Sequence, residues 1–153
     1  MVRPRSVPGR SFAAFVAAAA LGLMLQVASE ADGDGPATRP VSGGVYSDGQ
    51  AESGREAFAL HCAHCHGSDL RGGFGPSLVP LDPWAFGGGP LSRVFDLMRT
   101  EMPFDAPGSL DDEVYASILA YVLLENGFPS GADPLPASTD ALAAFELDDP
   151  PAD

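Results

Sequence analysis

The residues best suited to chemistry lie in one short segment, HCAHCHG, at positions 61–67. It holds both cysteines of the chain and all three of its histidines, namely Cys62, Cys65, His61, His64 and His66. Thiolate sulfur and imidazole nitrogen bind transition metals, and paired cysteines also form disulfides. A covalent haem, a zinc site and a redox-active dithiol are therefore the chemistries to compare.

The spacing of this segment favours the haem. Cys62, Cys65 and His66 form the pattern C-x-x-C-H, the attachment motif of c-type haem. On a helix these positions share one face. The two thiols can then bond the vinyl groups at one porphyrin edge while His66 directs a ring nitrogen at the iron. We expect His61 and His64 to face solvent near the haem edge.

The rival sites lack partners in the sequence. Structural zinc uses four ligands, usually as two separated pairs, and no second Cys or His pair occurs, so zinc would need carboxylates. A thioredoxin-like dithiol normally lies in a βαβ unit, which this sequence does not indicate. A plain disulfide across C-x-x-C closes too small a loop to stabilise the chain much.

A haem iron bound by one histidine needs a second axial ligand, and methionine is the remaining candidate. Met1 and Met24 lie in the N-terminal apolar segment, which leaves Met98 and Met102. Met98 falls on the apolar face of a predicted helix, whereas Pro103 favours an extended backbone at Met102. We favour Met102. A His/Met pair raises the reduction potential and fills both axial positions, which suits one-electron transfer rather than peroxidase or oxygenase chemistry.

Three helical patterns, with no convincing alternating strand, must position these residues. They cover residues 47–65, 92–100 and 109–127. Ser47 followed by Gln50, and Ser109 followed by Asp112, resemble capping boxes. The Gly- and Pro-rich connection 67–90 is long for a small domain, as expected if it wraps a large cofactor. Such a cofactor would also complete the thin core that three short helices provide.

The ends of the chain differ from this central part. Arg3, Arg5 and Arg10, an uncharged stretch at 12–28 and small residues after it predict a secretory signal at 1–31. An uncleaved membrane anchor is the alternative, because the stretch is just long enough to span a bilayer. Both interpretations put the domain outside the cytoplasmic membrane. We expect a flexible leader at 32–45. The acidic, Pro-rich tail at 128–153 should wrap the surface or stay loose, although DALAAFEL at 140–147 could form a short helix.

Charge limits the partners of the exported part. Residues 32–153 contain five arginines, no lysine and 20 acidic residues, a net charge of −15. Nucleic acid and anionic membrane surfaces are therefore poor partners. A basic protein surface would suit this charge, and solubility alone is the other explanation for it.

Residues 46–127 resemble the class I c-type cytochromes. The resemblance rests on C-A-H-C-H-G, on G-P-S-L at 75–78, on M-P at 102–103 and on a last helix containing Tyr121. It implies an all-α fold, with three main helices wrapped around one covalently attached haem c and long Gly/Pro-rich loops. It also implies that the carbonyl of Pro76 accepts a hydrogen bond from the proximal histidine, and that Gly54 and Phe58 pack on Tyr121. Trp84, Arg71, Arg93 and Arg99 are candidate partners of the haem propionates.

The segment from Met102 to Gly131 is similar to periplasmic cytochromes associated with PQQ-dependent alcohol dehydrogenases. This resemblance implies a periplasmic electron carrier, not itself an enzyme, that accepts electrons from a quinoprotein dehydrogenase and passes them to an oxidase or another cytochrome. A membrane-tethered haem c subunit of an oxidase or dehydrogenase complex is the alternative. A haem protein that binds an external ligand is a third.

Overall fold

The described residues, 38–81 and 89–149 of the computed structural model, are mostly helical. In chain order the elements are β1 (Arg39–Pro40), a 3-10 helix (Val41–Gly43), α1 (Asp48–His61), α2 (Ala63–His66), β2 (Gly89–Pro90), α3 (Ser92–Glu101), α4 (Asp112–Glu125), α5 (Thr139–Leu142) and β3 (Phe145–Leu147). The expected helical fold with long connecting segments is therefore confirmed. The predicted signal at 1–31 lies outside the described residues, as do positions 32–37, 82–88 and 150–153.

The helix ends follow the predicted signals only in part. Ser47 caps α1, since its hydroxyl accepts a hydrogen bond from the Gln50 amide at 3.3 Å. The helix predicted as continuous to residue 65 is interrupted at Cys62, where φ is −122° and α1 ends before α2 begins. The predicted cap at Ser109 is wrong. Its amide instead closes a turn onto the Ala106 carbonyl, and Asp111 precedes the first turn of α4.

The core is centred on the contact between α1 and α4. A Cβ atom at Gly54 would overlap the Ser117 carbonyl oxygen, so only glycine allows this close approach of the two backbones. Next to it, the rings of Phe58 and Tyr121 meet edge to face with their centroids 5.5 Å apart. The helix contact implied by the family resemblance is therefore present.

A small sheet joins both ends of the described chain, although no strand was predicted. β3 lies in the middle, parallel to β1 and antiparallel to β2. Its strands are only two or three residues long, and the pairing is non-local, which explains why no alternating pattern signals them.

The leader and the tail pack more closely than their composition predicts. Val41 and Val45, within the segment expected to be a flexible leader, are buried. The tail is not loose between 128 and 149, because five of its apolar side chains enter the core: Phe128, Leu135, Leu142, Phe145 and Leu147. These residues are spaced irregularly among prolines, so no helical or strand period reveals them. Among the described helices, none is long and apolar enough to cross a bilayer.

Candidate haem site

The imidazole of His66 is held on one side by backbone. The residue is 9% exposed, and Nδ1 lies 2.9 Å from the Pro76 carbonyl oxygen. A carbonyl only accepts hydrogen bonds, so Nδ1 donates the proton of this bond, and in the neutral ring Nε2 carries the lone pair. This is the arrangement by which a carbonyl orients a metal-binding histidine. The predicted contact between His66 and Pro76 is confirmed as geometry.

The segment that follows α2 folds back over it. The amide of Gly72 bonds the His66 carbonyl at 2.8 Å, and the amide of Gly75 bonds the Cys65 carbonyl at 2.8 Å. Side chains would disturb this contact: a Cβ at Gly75 would lie 3.0 Å from Cε1 of His66, and one at Gly73 would lie 3.0 Å from the Cys65 carbonyl oxygen. These glycines therefore allow the loop to press directly on the histidine and its helix.

The two thiols are unbonded to each other. Cys62 and Cys65 are free and half-buried, and Cys62 packs against the hydrophobic core. Burial, with a smaller contribution from Cys65, raises the pKa of Cys62 to about 11. A nucleophilic cysteine has a lowered pKa instead. In the described part of the chain, no three His, Cys, Asp or Glu residues are grouped as metal ligands.

These features fit a haem attached through both sulfurs. Cys65 and His66 both donate their amides to the Cys62 carbonyl, at 3.1 and 3.0 Å, so one helical turn sets the positions of the three residues. A proton fixed on Nδ1 of the buried imidazole leaves Nε2 to bind iron. A redox-active dithiol would need neither the shared helical turn nor the fixed imidazole.

Met102 stands on a separate element, directly after α3. Its backbone is extended, with φ −122° and ψ 153°, as the following proline predicts. Its carbonyl accepts a hydrogen bond from the Tyr115 hydroxyl at 2.6 Å and another from the Gly108 amide at 3.3 Å. Met98 lies one turn earlier and packs against the core.

The loop that begins at Met102 is closed at its base by an ion pair. Nε of Arg99, in the last turn of α3, lies 2.6 Å from Oδ1 of Asp112, the first residue of α4. Thr139 from the tail donates to Asp96 at 2.5 Å and accepts from Arg99 at 3.5 Å. Arg99 is thus engaged with protein carboxylates, which gives it a structural role beside its predicted part as a propionate partner.

Other predicted site residues are distributed as follows. His61 and His64 are exposed, as expected, and the ring of His64 lies 5.9 Å from that of Phe74. Arg71 is exposed too, with its amide bonded to the Asp69 carboxylate. Trp84, the remaining predicted cofactor-binding residue, falls within 82–88 and so lies outside the described residues.

Sequence reasoning missed one residue that supports this site. The Asn126 side chain accepts from the Leu81 amide at 2.5 Å and donates to the Leu78 carbonyl at 2.8 Å, tying the loop after His66 to the end of α4. In the sequence, Asn126 marks only the end of the helical pattern at 109–127. An amide side chain that both donates and accepts at a helix end could have suggested a backbone clamp, but the loop it holds could not have been named from sequence.

Comparison with known proteins supports the haem site. A family model described as "Cytochrome C oxidase, cbb3-type, subunit III" matches residues 49–122. No curated protein matches the sequence. The crystal structure of the sulfane dehydrogenase SoxCD from Paracoccus pantotrophus is similar, with a TM-score of 0.45 and 23% identity, over 73% of this chain and 60% of that one. The chain thus spans less than two thirds of that protein chain, and so distant a match assigns neither activity nor partner.

The matched segment contains both cysteines, the buried histidine, Met102 and the packed helices α1 and α4. A c-type cytochrome family accounts for all of them at once. A dithiol leaves the imidazole contact and the glycine loop unexplained, and a zinc site lacks a group of ligands among the described residues. Residues 49–122 therefore form a class I c-type cytochrome domain that carries one covalently bound haem c and transfers electrons.

Proposed function

We propose that this protein is a periplasmic electron carrier whose haem iron is ligated by His66 and Met102. It would accept single electrons from a PQQ-dependent alcohol dehydrogenase and pass them to an oxidase or another cytochrome. The haem supplies a one-electron redox centre. The protein holds it through Cys62 and Cys65 and sets its axial ligands.

The observation that carries this proposal is the contact of His66 with the Pro76 carbonyl. With Nδ1 donating to that oxygen, Nε2 is the ring nitrogen available to a metal, and the ring is buried against rotation. Met102 offers a thioether from a loop fixed by its own carbonyl. A site filled by two protein ligands leaves no open position for a substrate, which supports electron transfer over ligand binding.

The surface supports a basic protein partner. The exported part has a net charge of −15, and opposite charges accelerate the encounter of two proteins. Two aromatic side chains flank the site segments and are largely exposed: Phe74 by 89% and Phe104 by 84%. An apolar contact inside an acidic surface suits a brief, specific encounter rather than a permanent complex. The dehydrogenase itself is inferred from the resemblance of residues 102–131.

A mixing experiment tests the proposal. The oxidised protein is mixed with a PQQ-dependent alcohol dehydrogenase from the same source, with and without its alcohol, while the visible spectrum is recorded. We expect rapid appearance of the reduced haem c bands only with alcohol, at a rate that falls as salt is added. Haem bands that the dehydrogenase fails to reduce would refute the assigned donor and leave the cytochrome assignment intact.

A second candidate is a membrane-tethered haem c subunit of an oxidase or dehydrogenase complex. It is favoured by the matching family, whose description names subunit III of a cbb3-type oxidase, and by the uncharged stretch at 12–28. Fractionation of the source cells separates the two. Haem c protein in the soluble periplasmic fraction supports the carrier, and haem c protein that requires detergent supports the subunit.

A further inference from the structure

The loop that begins at Met102 is held by turns within it and by contacts from the helices on either side. It connects α3 to α4, and it contains Pro103 and Gly108, so its conformation is not fixed by helical hydrogen bonds. Within it the backbone bonds are turns, such as the Ala106 amide to the Pro103 carbonyl at 2.8 Å. The strongest external support is the hydroxyl of Tyr115, 2.6 Å from the Met102 carbonyl oxygen.

Tyr115 is well suited to act as a fixed point. It lies in the first turns of α4, the helix packed most extensively against α1, and its side chain is 2% exposed. A phenol ring so buried has few alternative rotamers, so its hydroxyl is fixed in position. Loss of that hydroxyl would leave the Met102 carbonyl with only the longer bond from Gly108, at 3.3 Å.

The base of the loop has a second fixed point. The ion pair of Arg99 with Asp112 joins the last turn of α3 to the first turn of α4, at 2.6 Å. Both side chains are about two fifths exposed, at 37% and 40%, so the pair is worth less than a buried one. It fixes where the loop starts and ends, and Tyr115 fixes the backbone of the methionine itself.

We propose that Tyr115 is the residue that positions Met102 for iron ligation, with the Arg99–Asp112 pair in a smaller supporting role. This inference rests on the proposed ligation by Met102. A hydrogen bond to the Met102 carbonyl restricts rotation about the Cα–C bond, which limits the directions that the Cα–Cβ bond can take. The methionine side chain therefore starts from a restrained backbone position, and less backbone freedom is lost on ligation.

Competition by imidazole for the sixth position of the oxidised holoprotein tests this idea. The apparent affinity for an external ligand is proportional to the fraction of molecules whose methionine is detached. Loss of one hydrogen bond changes the ratio of detached to iron-bound methionine about three- to tenfold. We therefore expect Tyr115→Phe to bind imidazole about three- to tenfold more tightly than the unaltered protein, seen as a shift of the haem absorption bands.

The matched control is Tyr46→Phe. The Tyr46 hydroxyl also donates to a backbone carbonyl, that of Phe128 at 2.5 Å, and the residue is fully buried. Both variants should unfold at lower denaturant concentration, but only Tyr115→Phe should bind imidazole more tightly. Asp112→Asn, at a partly exposed position, gives a second test that does not alter the core, and it should tighten imidazole binding about twofold, as an exposed ion pair allows.

Measuring Met102→Ala alongside distinguishes a failure of the positioning role of Tyr115 from a failure of the proposed ligation by Met102. Strong imidazole binding by Met102→Ala, with Tyr115→Phe and Asp112→Asn unchanged from the unaltered protein, would overturn the positioning role and leave the ligand assignment standing. Equal tightening in Tyr46→Phe and Tyr115→Phe would also overturn it, since a general loss of stability would then explain the effect. If Met102→Ala binds imidazole no better than the unaltered protein, the ligation by Met102 falls, and the positioning role falls with it.

Discussion

The two residues proposed as axial ligands differ in how far their supports depend on distant segments of the chain. His66 is fixed by Pro76, ten residues away, and its helix is covered by the glycine loop that follows it. Met102 is fixed by Tyr115 on the next helix, and α3, which precedes it, is contacted by Thr139 about forty residues further on. The surroundings of His66, the proximal side, are thus mainly local in sequence. The surroundings of Met102, the distal side, depend on tertiary packing.

This difference has a consequence for stability. Local contacts re-form with little loop-closure entropy, whereas contacts between distant segments require the whole domain to be folded. We expect the proximal side to survive perturbations that release the distal methionine, and the following predictions test that order.

The largest effect should come from the attachment residues. In a Cys62→Ser, Cys65→Ser double variant, no thioether bond can form, so haem should be extracted completely by acidified organic solvent from the denatured protein. The unaltered protein should retain all of its haem under the same treatment. His64→Ala, at an exposed position between the two cysteines, is the control and should retain haem. Covalent haem in the double variant would contradict the assigned attachment.

The next effect should come from the distal ligand. Met102→Ala should lower the reduction potential on the order of 0.1 V, within the span of about 0.8 V that axial ligands cover, and the reduced protein should gain carbon monoxide binding. Met98→Leu keeps an apolar side chain against the core and should leave both properties unchanged. Potentiometric titration of the visible bands measures the first, and difference spectra measure the second. Equal effects of the two substitutions, or the reverse order, would refute Met102 as the ligand.

A smaller effect is expected from Asn126, the distant residue that holds the loop after His66. Asn126→Ala removes the partners of the Leu81 amide and the Leu78 carbonyl. The free energy of unfolding should fall by about 2 kcal/mol, because two backbone groups lose their bonds. Denaturant titration measures this, with Glu125→Ala, an exposed neighbour, expected within about 0.5 kcal/mol of the unaltered protein. Equal losses in the two variants would show that the clamp contributes nothing.

The smallest effect concerns Tyr46, whose hydroxyl donates to the Phe128 carbonyl at the start of the tail. Burial, and to a lesser degree the nearby Asp48, raises the pKa of Tyr46 to about 12 from its ordinary value of 10. The folded state therefore favours the neutral phenol. This contribution to stability is complete below pH 10 and is lost as the pH rises towards about 12.

Tyr46→Phe should lower the stability at neutral pH but should flatten its decline in this alkaline range. Denaturant unfolding followed by far-UV circular dichroism at several pH values measures both slopes. A variant whose stability falls as steeply as that of the unaltered protein would contradict the assigned role of this phenol.

The same contrast explains how much of the site could be predicted from sequence. The C-x-x-C-H spacing is a local pattern with a chemical reason, and the covalent haem c that it predicts is supported by the family match. Cys62, Cys65 and His66 as its attachment and ligand residues remain predictions. The family resemblance added the contact of His66 with Pro76, which is present at 2.9 Å. Met102 as the distal ligand remains a prediction, although its extended backbone agrees with the sequence signal.

What sequence reasoning missed was built from distant partners. Tyr115 falls within the predicted helix at 109–127, but nothing in a helical period reveals which carbonyl its hydroxyl will meet. The tail was expected to wrap the surface or stay loose because it is rich in proline and acid. Its strand β3 nevertheless joins β1 and β2. Such pairings depend on the positions of the other two strands, which local patterns do not contain.

The central claim is that His66 and Met102 together complete the coordination of one haem iron. The most direct measurement is the proton NMR spectrum of the reduced holoprotein, in which the methyl group of an iron-bound methionine is strongly shifted by the porphyrin ring current. We predict one such methyl signal in the unaltered protein, retained in Met98→Leu and absent in Met102→Ala. A signal that disappears in Met98→Leu and persists in Met102→Ala would contradict the account, as would the absence of any shifted methyl signal in the unaltered protein.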